Sequence, residues 1–552
     1  MLYYGLSLLR RTLLLDSKTT SLNKTKMLVP FFVVLLGICA GGLSRTFPSI
    51  NSDEVIVAVN GESYLHGDGV CYTLNHDIMP GVAIPVGDIS NHVVRPLYDA
   101  WVGLWGMAER GPWLARGSAV LVGFFLLGAF VVLGFRLGGE RAASLLAALL
   151  ATSPLFWLGC CVINEHGVLA LVVSVLVAVI SSIPPTSWTC LGIGVAAGGC
   201  LIVHQNIIPI FLGLGILGFF FWPKRERFSL LATLCLGFLG GGLAASLFMD
   251  LKRFILFQKS LYWIFSKPMI LEGDIFGLWH SFWARIMGSS TYYLVYEGAL
   301  PRGWDMAVKS HTLGLGGALA TGLLWKKNET PEGRGQRFKA FLLATLAVLV
   351  GFSLLVRRQE VLYSLVLYPF VFPAVGETLI GNRTTGVSRG LSMFSLSVGM
   401  AVSVFFNASF IINYVSSVKP YPQLVKEVKS LVHPYDGKRI VGPGVLWFAF
   451  SESNFRDVGA LNYARYFTEG TFEPGRWMSS WRPDYLIIDN SFRRAASKTG
   501  VHNPLYPLSI PFRYLGRVDT GKAYGTFEVL QIFWPTPPPS DDGFRAAKKS
   551  TS

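Results

Sequence analysis

Charged residues are scarce in this sequence of 552 residues. Only 15% of the residues are Asp, Glu, Lys or Arg, whereas 51% are hydrophobic. Soluble domains carry about 25% charged residues on average. The composition therefore excludes a soluble globular protein and indicates a chain that lies largely in a bilayer.

Cysteines are also few, and several familiar motifs are absent. Of the seven cysteines, only Cys71 falls clearly in a polar external loop, so no disulfide framework is predicted. The sequence has no G-x-G-x-x-G after a strand, no Walker loop and no H-E-x-x-H, so these signatures of dinucleotide, nucleotide and zinc-protease sites are missing. No convincing internal repeat is present, which weakens the interpretation as an inverted-repeat transporter.

Acidic residues are outnumbered, with 33 Asp and Glu against 48 Lys and Arg, which gives a net charge of +15. In a soluble domain this excess would suggest nucleic acid as a partner. Here much of it falls in short connections between apolar segments, where it orients the chain and meets anionic lipid. The predicted partner is a lipid bilayer, and nucleic acid is not expected.

Long apolar runs are abundant. Most are near the roughly 20 residues that a helix needs to cross a bilayer, and a few are shorter. About eleven spans are predicted, at residues 27–44, 117–137, 142–162, 167–183, 188–203, 207–222, 229–248, 312–325, 340–356, 361–380 and 391–414.

The basic residues before the first span predict a cytoplasmic N-terminus. Threading the spans from there makes four of the five internal connections basic, as the positive-inside rule requires. The predicted fold is thus a polytopic α-helical membrane protein with a small C-terminal α/β extracytoplasmic domain. Its predicted parts are a cytoplasmic N-terminus at 1–26, a membrane domain at 27–415 with external loops at 45–115 and 249–311, an α/β domain at 416–535 and a disordered tail at 536–552.

Two adjacent carboxylates, Asp53 and Glu54, follow the first predicted span. The predicted topology places them at the external rim of the membrane, beside a long polar loop. A carboxylate there could serve as a base, or the two could be an ordinary solvated loop pair. The short motif alone favours the solvated pair.

A second acidic residue, Glu165, lies in a short predicted external turn between two spans. Ionisable groups at this depth are costly and usually have a function. The alternative, that Glu165 marks the turn and faces water, is about as well supported by the sequence.

Four cations lie at predicted external span ends, against the positive-inside bias: Lys252, Arg253, Arg357 and Arg358. An arginine fork suits phosphate oxygens, so the set could bind a lipid phosphate. Each cation taken alone is better explained by a side chain that reaches outward to lipid head groups.

One chemistry unites these residues. A carboxylate could take the proton of an acceptor hydroxyl as that hydroxyl attacks the anomeric carbon of a sugar. The cations would stabilise the departing lipid phosphate. His66, His76 and His92 share the first loop with three Asp residues, but their spacings match no standard ligand set. No cofactor is certain, and a divalent metal stays an open alternative.

Several segments resemble the GT-C glycosyltransferases, and within that fold the bacterial protein-mannosyltransferase-like group. These segments are residues 53–55 with 67–68, 92–98, 137–141, 152–156, 358–369 and 482–486. Together they cover most of the chain and are strongest over residues 50–160. The segment that begins at His92 is longer and more basic than the corresponding element of that group.

The resemblance implies an inverting transfer of a sugar from a polyprenyl-phosphate donor on the external face of the membrane. It makes Asp53 the catalytic base, and it makes Glu165 a catalytic residue at the second acidic position, after the third span. The substrate-binding residues that it suggests are Glu54, His92, Lys252, Arg253, Arg357, Arg358 and Tyr363.

The sequence thus predicts a membrane-embedded glycosyltransferase in the inner (plasma) membrane, with its active face periplasmic. A transporter or flippase of lipid-linked sugars and an inactive scaffold are the alternatives. A transporter would favour charged groups near the midplane and paired broken helices, and neither is recognisable in the sequence. The sugar and the acceptor are not encoded in any readable motif.

Overall fold

The structure is a computed structural model, and it describes seventeen stretches of the chain. They are residues 39–44, 54–55, 57–58, 61, 65, 96–106, 111–204, 206–248, 302–324, 334–355, 361–380, 386–450, 454–457 and several short stretches of the tail (478–479, 481–489, 510–521 and 524–534).

The described membrane part is helical. Its helices are α1 (Pro96–Gly106), α2 (Pro112–Ala151), α3 (Pro154–Cys161), α4 (Glu165–Ser182), α5 (Ser187–Gly199), α6 (Ile207–Phe221), α7 (Arg227–Phe248), α8 (Arg302–Leu324), α9 (Arg334–Leu355), α10 (Tyr368–Ile380) and α11 (Gly386–Ser417). Short 3-10 helices, Cys200–Ile202 and Val361–Leu367, follow α5 and precede α10.

Five of the described helices are long and apolar enough to cross a membrane. They fall within α2, α4, α7, α9 and α11. Large apolar side chains on the outside of the bundle, such as Trp188 (82% exposed), Phe228 (76%) and Phe394 (68%), suit lipid rather than water. The chain is a polytopic membrane protein, and the total of about eleven spans stays a prediction.

Helix α2 is a helical hairpin rather than one straight rod. Gly138 and Gly139 leave helical geometry, and Gly139 has a φ of 73°, which glycine adopts without strain. A Cβ placed on Gly134 would lie 2.4 Å from the Cα of Ala143. In a straight helix those positions would be about 13 Å apart. The two arms of α2 therefore run antiparallel, with the turn inside the connection predicted between the second and third spans.

The third predicted span, residues 142–162, differs from the structure because it is interrupted. The second arm of α2 ends at Ala151, and α3 begins after Ser153, whose side chain accepts a hydrogen bond from the Phe156 N–H. The Ser153 hydroxyl also bonds the Tyr368 hydroxyl at 2.7 Å. Pro154 at the first position of α3 cannot donate a backbone hydrogen bond, so the helix restarts there.

Helix α8 begins at Arg302, whereas the predicted external loop runs to residue 311. Polar residues lower the hydropathy of its first turns, so these turns are not recognised as part of an apolar run. They are accommodated within the helix, where Lys309 pairs with Asp305 one turn away at 2.5 Å.

The C-terminal part forms a five-stranded mixed sheet with a covering helix. The helix is α12 (Tyr421–Leu431), and the strands are β1 (Arg439–Gly442), β2 (Asn454–Asp457), β3 (Tyr485–Ile488), β4 (Phe512–Asp519) and β5 (Thr526–Ile532). Their order is β2-β1-β3-β5-β4, with β1 parallel to β2 and β3 and with β5 antiparallel to β3 and β4. All four residues of β3 are buried, as expected of a central strand.

The sheet domain packs on the start of the membrane domain. Val55, from the segment after the first predicted span, belongs to the same buried cluster as Leu424 and Ile440 of the sheet domain. Trp113, at the start of α2, meets the ring of Tyr421 edge-on with centroids 6.1 Å apart. Val55 is therefore packed into the core of the sheet domain.

Candidate functional site

Glu54 forms a buried ion pair with Arg116, in the first turns of α2. The guanidinium donates from Nε to Oε1 at 2.9 Å and from Nη2 to Oε2 at 2.7 Å. The Glu54 and Arg116 side chains are 0% and 1% exposed. This two-pronged geometry satisfies both carboxylate oxygens and fixes the direction of the side chain.

The pair also joins three separate parts of the chain. The backbone N–H of Ile163 donates to Glu54 Oε1 at 3.0 Å. Arg116 donates from Nη1 to the carbonyl oxygen of Ser44 at 3.0 Å. The end of the first predicted span, the segment after it and the connection between α3 and α4 therefore meet at one charged node.

Glu165 begins α4 directly after this connection. Asn164 caps the helix by accepting from the Gly167 N–H at 3.1 Å, and its side-chain amide donates to the carbonyl oxygens of Gly159 and Val162. A carboxylate at the first position of a helix is stabilised by the helix dipole. Glu165 is only 1% exposed, so the alternative in which it faces water is wrong.

Two histidines lie beside Glu165. The Nε2 atoms of His166 and His204 are each 3.5 Å from Glu165 Oε1, and the two imidazole centroids are 4.9 Å apart. Both histidines are buried. His204 follows the 3-10 helix after α5, so the cluster joins the start of α4 to the connection between α5 and α6. We call Glu165, His166 and His204 the Glu–His cluster.

The Glu–His cluster offers three ligand atoms within 4.8 Å of one another. Two imidazoles and a carboxylate form one of the ligand sets that zinc takes in enzymes. The loop histidines of the open metal alternative, His66, His76 and His92, lie outside the described residues. Among the described residues this is the group whose composition could hold a metal ion.

The two predicted acidic features are thus neighbours. Glu54 contacts the backbone of Ile163, and Glu165 is two residues farther along the chain. Asp53, next to Glu54 in sequence, lies outside the described residues, as do His92, Lys252, Arg253, Arg357 and Arg358. Tyr363 lies in the 3-10 helix Val361–Leu367.

Sequence reasoning missed two residues of this region, Arg116 and His204. Arg116 lies at the boundary predicted between the first external loop and the second span. His204 lies between two spans on the same predicted face as Glu165. An ionisable residue at a span end, on the face of a suspected site, is the signal that could have singled out both.

Comparisons with known proteins bear on the fold. No protein-family model and no curated protein matches the sequence. The crystal structure of ArnT from Cupriavidus metallidurans bound to undecaprenyl phosphate is similar, with a TM-score of 0.51, 14% identity, and coverage of 92% of this chain and 99% of ArnT. ArnT in the apo state gives a TM-score of 0.50, 12% identity, and coverage of 91% and 97%.

A third structure, the arabinofuranosyltransferase AftD from Mycobacteria, matches 91% of this chain but 40% of its own, at 14% identity and a TM-score of 0.48, which is too weak to add to the argument. The likeness to ArnT at these identities shows the fold alone. It confirms the predicted GT-C fold, while membership of the protein-mannosyltransferase-like group is not confirmed.

Proposed function

We propose that this protein is a membrane-embedded glycosyltransferase. It moves a hexose or pentose from a polyprenyl-phosphate donor to an acceptor hydroxyl, with inversion at the anomeric carbon. The observation that carries the proposal is the fold likeness over nearly the full length of ArnT, which was crystallised with undecaprenyl phosphate. The active face is periplasmic, and the polyprenyl tail of the donor lies among the membrane helices.

The charged node supports a reacting centre at this end of the bundle. Glu54 is fixed by Arg116 and Ile163, and Val55 is packed into the sheet domain. Asp53 directly precedes Glu54 in the sequence. A base must be held within a fraction of an ångström to be effective. The node therefore suits the role of aiming Asp53.

In this proposal Asp53 is the general base. It accepts the proton of the acceptor hydroxyl as the hydroxyl oxygen bonds to the anomeric carbon and the bond to the phosphate oxygen breaks. The polyprenyl phosphate leaves with the bonding electron pair, and Arg358, with Arg357, Lys252 and Arg253, stabilises its charge. Glu165 is the second acid of the site, and His92 and Tyr363 contact substrate.

Glu54 has a different role from the one suggested by the sequence. Both of its oxygens already receive hydrogen bonds from Arg116 and Ile163. We therefore assign it to positioning Asp53 rather than to binding the sugar.

The test is transfer by purified full-length protein in nanodiscs, supplied with a polyprenyl-phosphate sugar labelled in the sugar and with extracted envelope lipids and glycans as acceptors. Asp53→Asn should lower transfer by about a thousandfold, within the range that a general base contributes, and should leave the melting temperature unchanged. Asp305→Asn is the matched control and should keep full activity, because Asp305 pairs with Lys309 on the partly exposed first turns of α8. Retained transfer in Asp53→Asn would contradict the assignment.

A further inference from the structure

The Glu–His cluster has the composition of a zinc site, but the hydrogen bonding of His204 does not suit a zinc ligand. The backbone N–H of Asn206 donates to His204 Nδ1 at 3.0 Å. A ring nitrogen that accepts a hydrogen bond carries no proton, so the neutral imidazole must carry its proton on Nε2. Nε2 is the atom that lies 3.5 Å from Glu165 Oε1.

We infer that His204 is a positioning residue whose Nε2–H donates a hydrogen bond to the Glu165 carboxylate. The Glu–His cluster then holds this carboxylate in place and does not bind a metal ion. This inference rests on the proposed function only for its activity readout.

Metal binding would require the opposite tautomer. A metal on Nε2 takes the lone pair of that nitrogen, and the proton must then lie on Nδ1. Histidine ligands almost always donate their other ring N–H to a carboxylate, a carbonyl or water. In this structure the Nδ1 proton would instead face the N–H of Asn206 across 3.0 Å. Two donors cannot share that contact.

The surroundings of His204 also make the donor role effective. His204 and Glu165 are 2% and 1% exposed, so water does not compete for their contact. A hydrogen bond to a carboxylate is stronger when the pair is buried. The bond links the connection between α5 and α6 to the first residue of α4, so the position of the carboxylate is set from two sides.

Two substitutions at one position separate the donor role from the metal role. The side-chain amide of Gln can donate from near the place of Nε2 but cannot replace an imidazole as a zinc ligand. Leu can do neither. His204→Gln should therefore keep transfer within about threefold of wild type, and His204→Leu should lower it by about a hundredfold. Equal loss in both variants would overturn the inference.

Two readouts do not need glycosyl transfer. The zinc content of full-length protein should be far below one per chain in the wild type and unchanged in His204→Gln. Close to one zinc per chain, lost in both variants, would overturn the inference. Nitrogen NMR of protein labelled at histidine should show one resonance pair, absent from His204→Gln, with Nε2 protonated and Nδ1 unprotonated.

The reverse protonation pattern, with Nδ1 protonated, would also overturn the inference. This measurement on the wild type decides the question even if His204→Leu does not fold. If the wild type shows no transfer at all, the proposed function fails, while the zinc and NMR results still test the tautomer.

Discussion

Two buried carboxylates flank the same short connection, and they are held in different ways. Glu54 faces a guanidinium that binds both of its oxygens, and it also accepts from the Ile163 N–H. Glu165, two residues beyond Ile163, faces two imidazoles at 3.5 Å. The first carboxylate has a guanidinium as its partner, and the second has two imidazoles, which offer single ring nitrogens instead of a planar fork.

This difference separates a structural anchor from a functional group. The Glu54 carboxylate is held by bonds to both of its oxygens, and losing its arginine partner leaves an uncompensated buried charge. The Glu165 carboxylate instead lies 3.5 Å from two imidazole nitrogens. The connection between α3 and α4 thus meets a structural anchor, Glu54, on one side and carries the proposed functional carboxylate, Glu165, on the other.

Removing the cation of the anchor should have the largest effect on stability. Arg116→Met leaves the Glu54 carboxylate buried without its guanidinium and removes the donor to Ser44. We expect a loss of about 3–5 kcal/mol in the free energy of unfolding, typical of a broken buried ion pair. Denaturant unfolding of the purified protein in detergent measures it.

Arg517→Met is the matched control, because Arg517 pairs with Asp519 at 3.5 Å on the exposed strand β4, and it should change stability little. The double variant Arg116→Met/Glu54→Leu should recover part of the lost free energy of unfolding, since it also removes the unpaired Glu54 carboxylate. A double variant less stable than Arg116→Met would contradict the anchor role of Glu54.

Breaking the connection itself should have an intermediate effect and should disturb both carboxylates. Asn164→Ala removes the cap of α4 and two hydrogen bonds to Gly159 and Val162. The expected cost is about 1–2 kcal/mol, as for other lost helix caps. Asn164→Asp keeps the cap oxygen but loses the two donors, so it should fall between wild type and Ala. Equal stability of the wild type and both variants would show that the hydrogen bonds of Asn164 do not stabilise the connection between α3 and α4.

The sequence predicts the framework of this site better than its pairing. The apolar runs locate most described helices, and the carboxylates at span ends identify Glu54 and Glu165. Arg116 is 62 positions from Glu54 in sequence, and His204 is nearly 40 positions from Glu165. Contacts over such separations depend on how helices pack, and no local periodicity encodes them.

Helix boundaries are poorly encoded where polar residues enter a helix or where a cap interrupts an apolar run. The sequence does not predict the start of α8, because Asp305, Lys309 and His311 lower the hydropathy of its first turns. It does not predict the break at Ser153 either, because both sides of the break are apolar and only the Ser-Pro pair marks a new helix start.

An exposed carboxylate should show the smallest effect and gives the comparison its baseline. Lys419 hydrogen-bonds Glu427 at 2.6 Å at the start of the sheet domain, and this bond lowers the pKa of Glu427. A lowered pKa in the folded state stabilises the protein above the pKa of the unfolded chain, and the contribution is lost as the pH falls through the folded value.

Because Glu427 is 36% exposed, solvent screens the pair, and we expect at most about 0.5 kcal/mol. Unfolding of wild type and Glu427→Gln, compared from neutral to acidic pH, measures this contribution. The difference should shrink as the pH falls. A difference that grows in acid would contradict the assignment.

The most direct test of the account compares Glu54→Gln with Glu165→Gln, with unfolding free energy and transfer rate measured on the same preparations. Glu54→Gln should lose about 2 kcal/mol of stability, because Arg116 keeps a buried charge with a weaker partner. Glu165→Gln should lose less than half of that and should lower transfer by about a hundredfold. If Glu165→Gln is the less stable of the two and still transfers sugar at the wild-type rate, the distinction between anchor and functional acid is wrong.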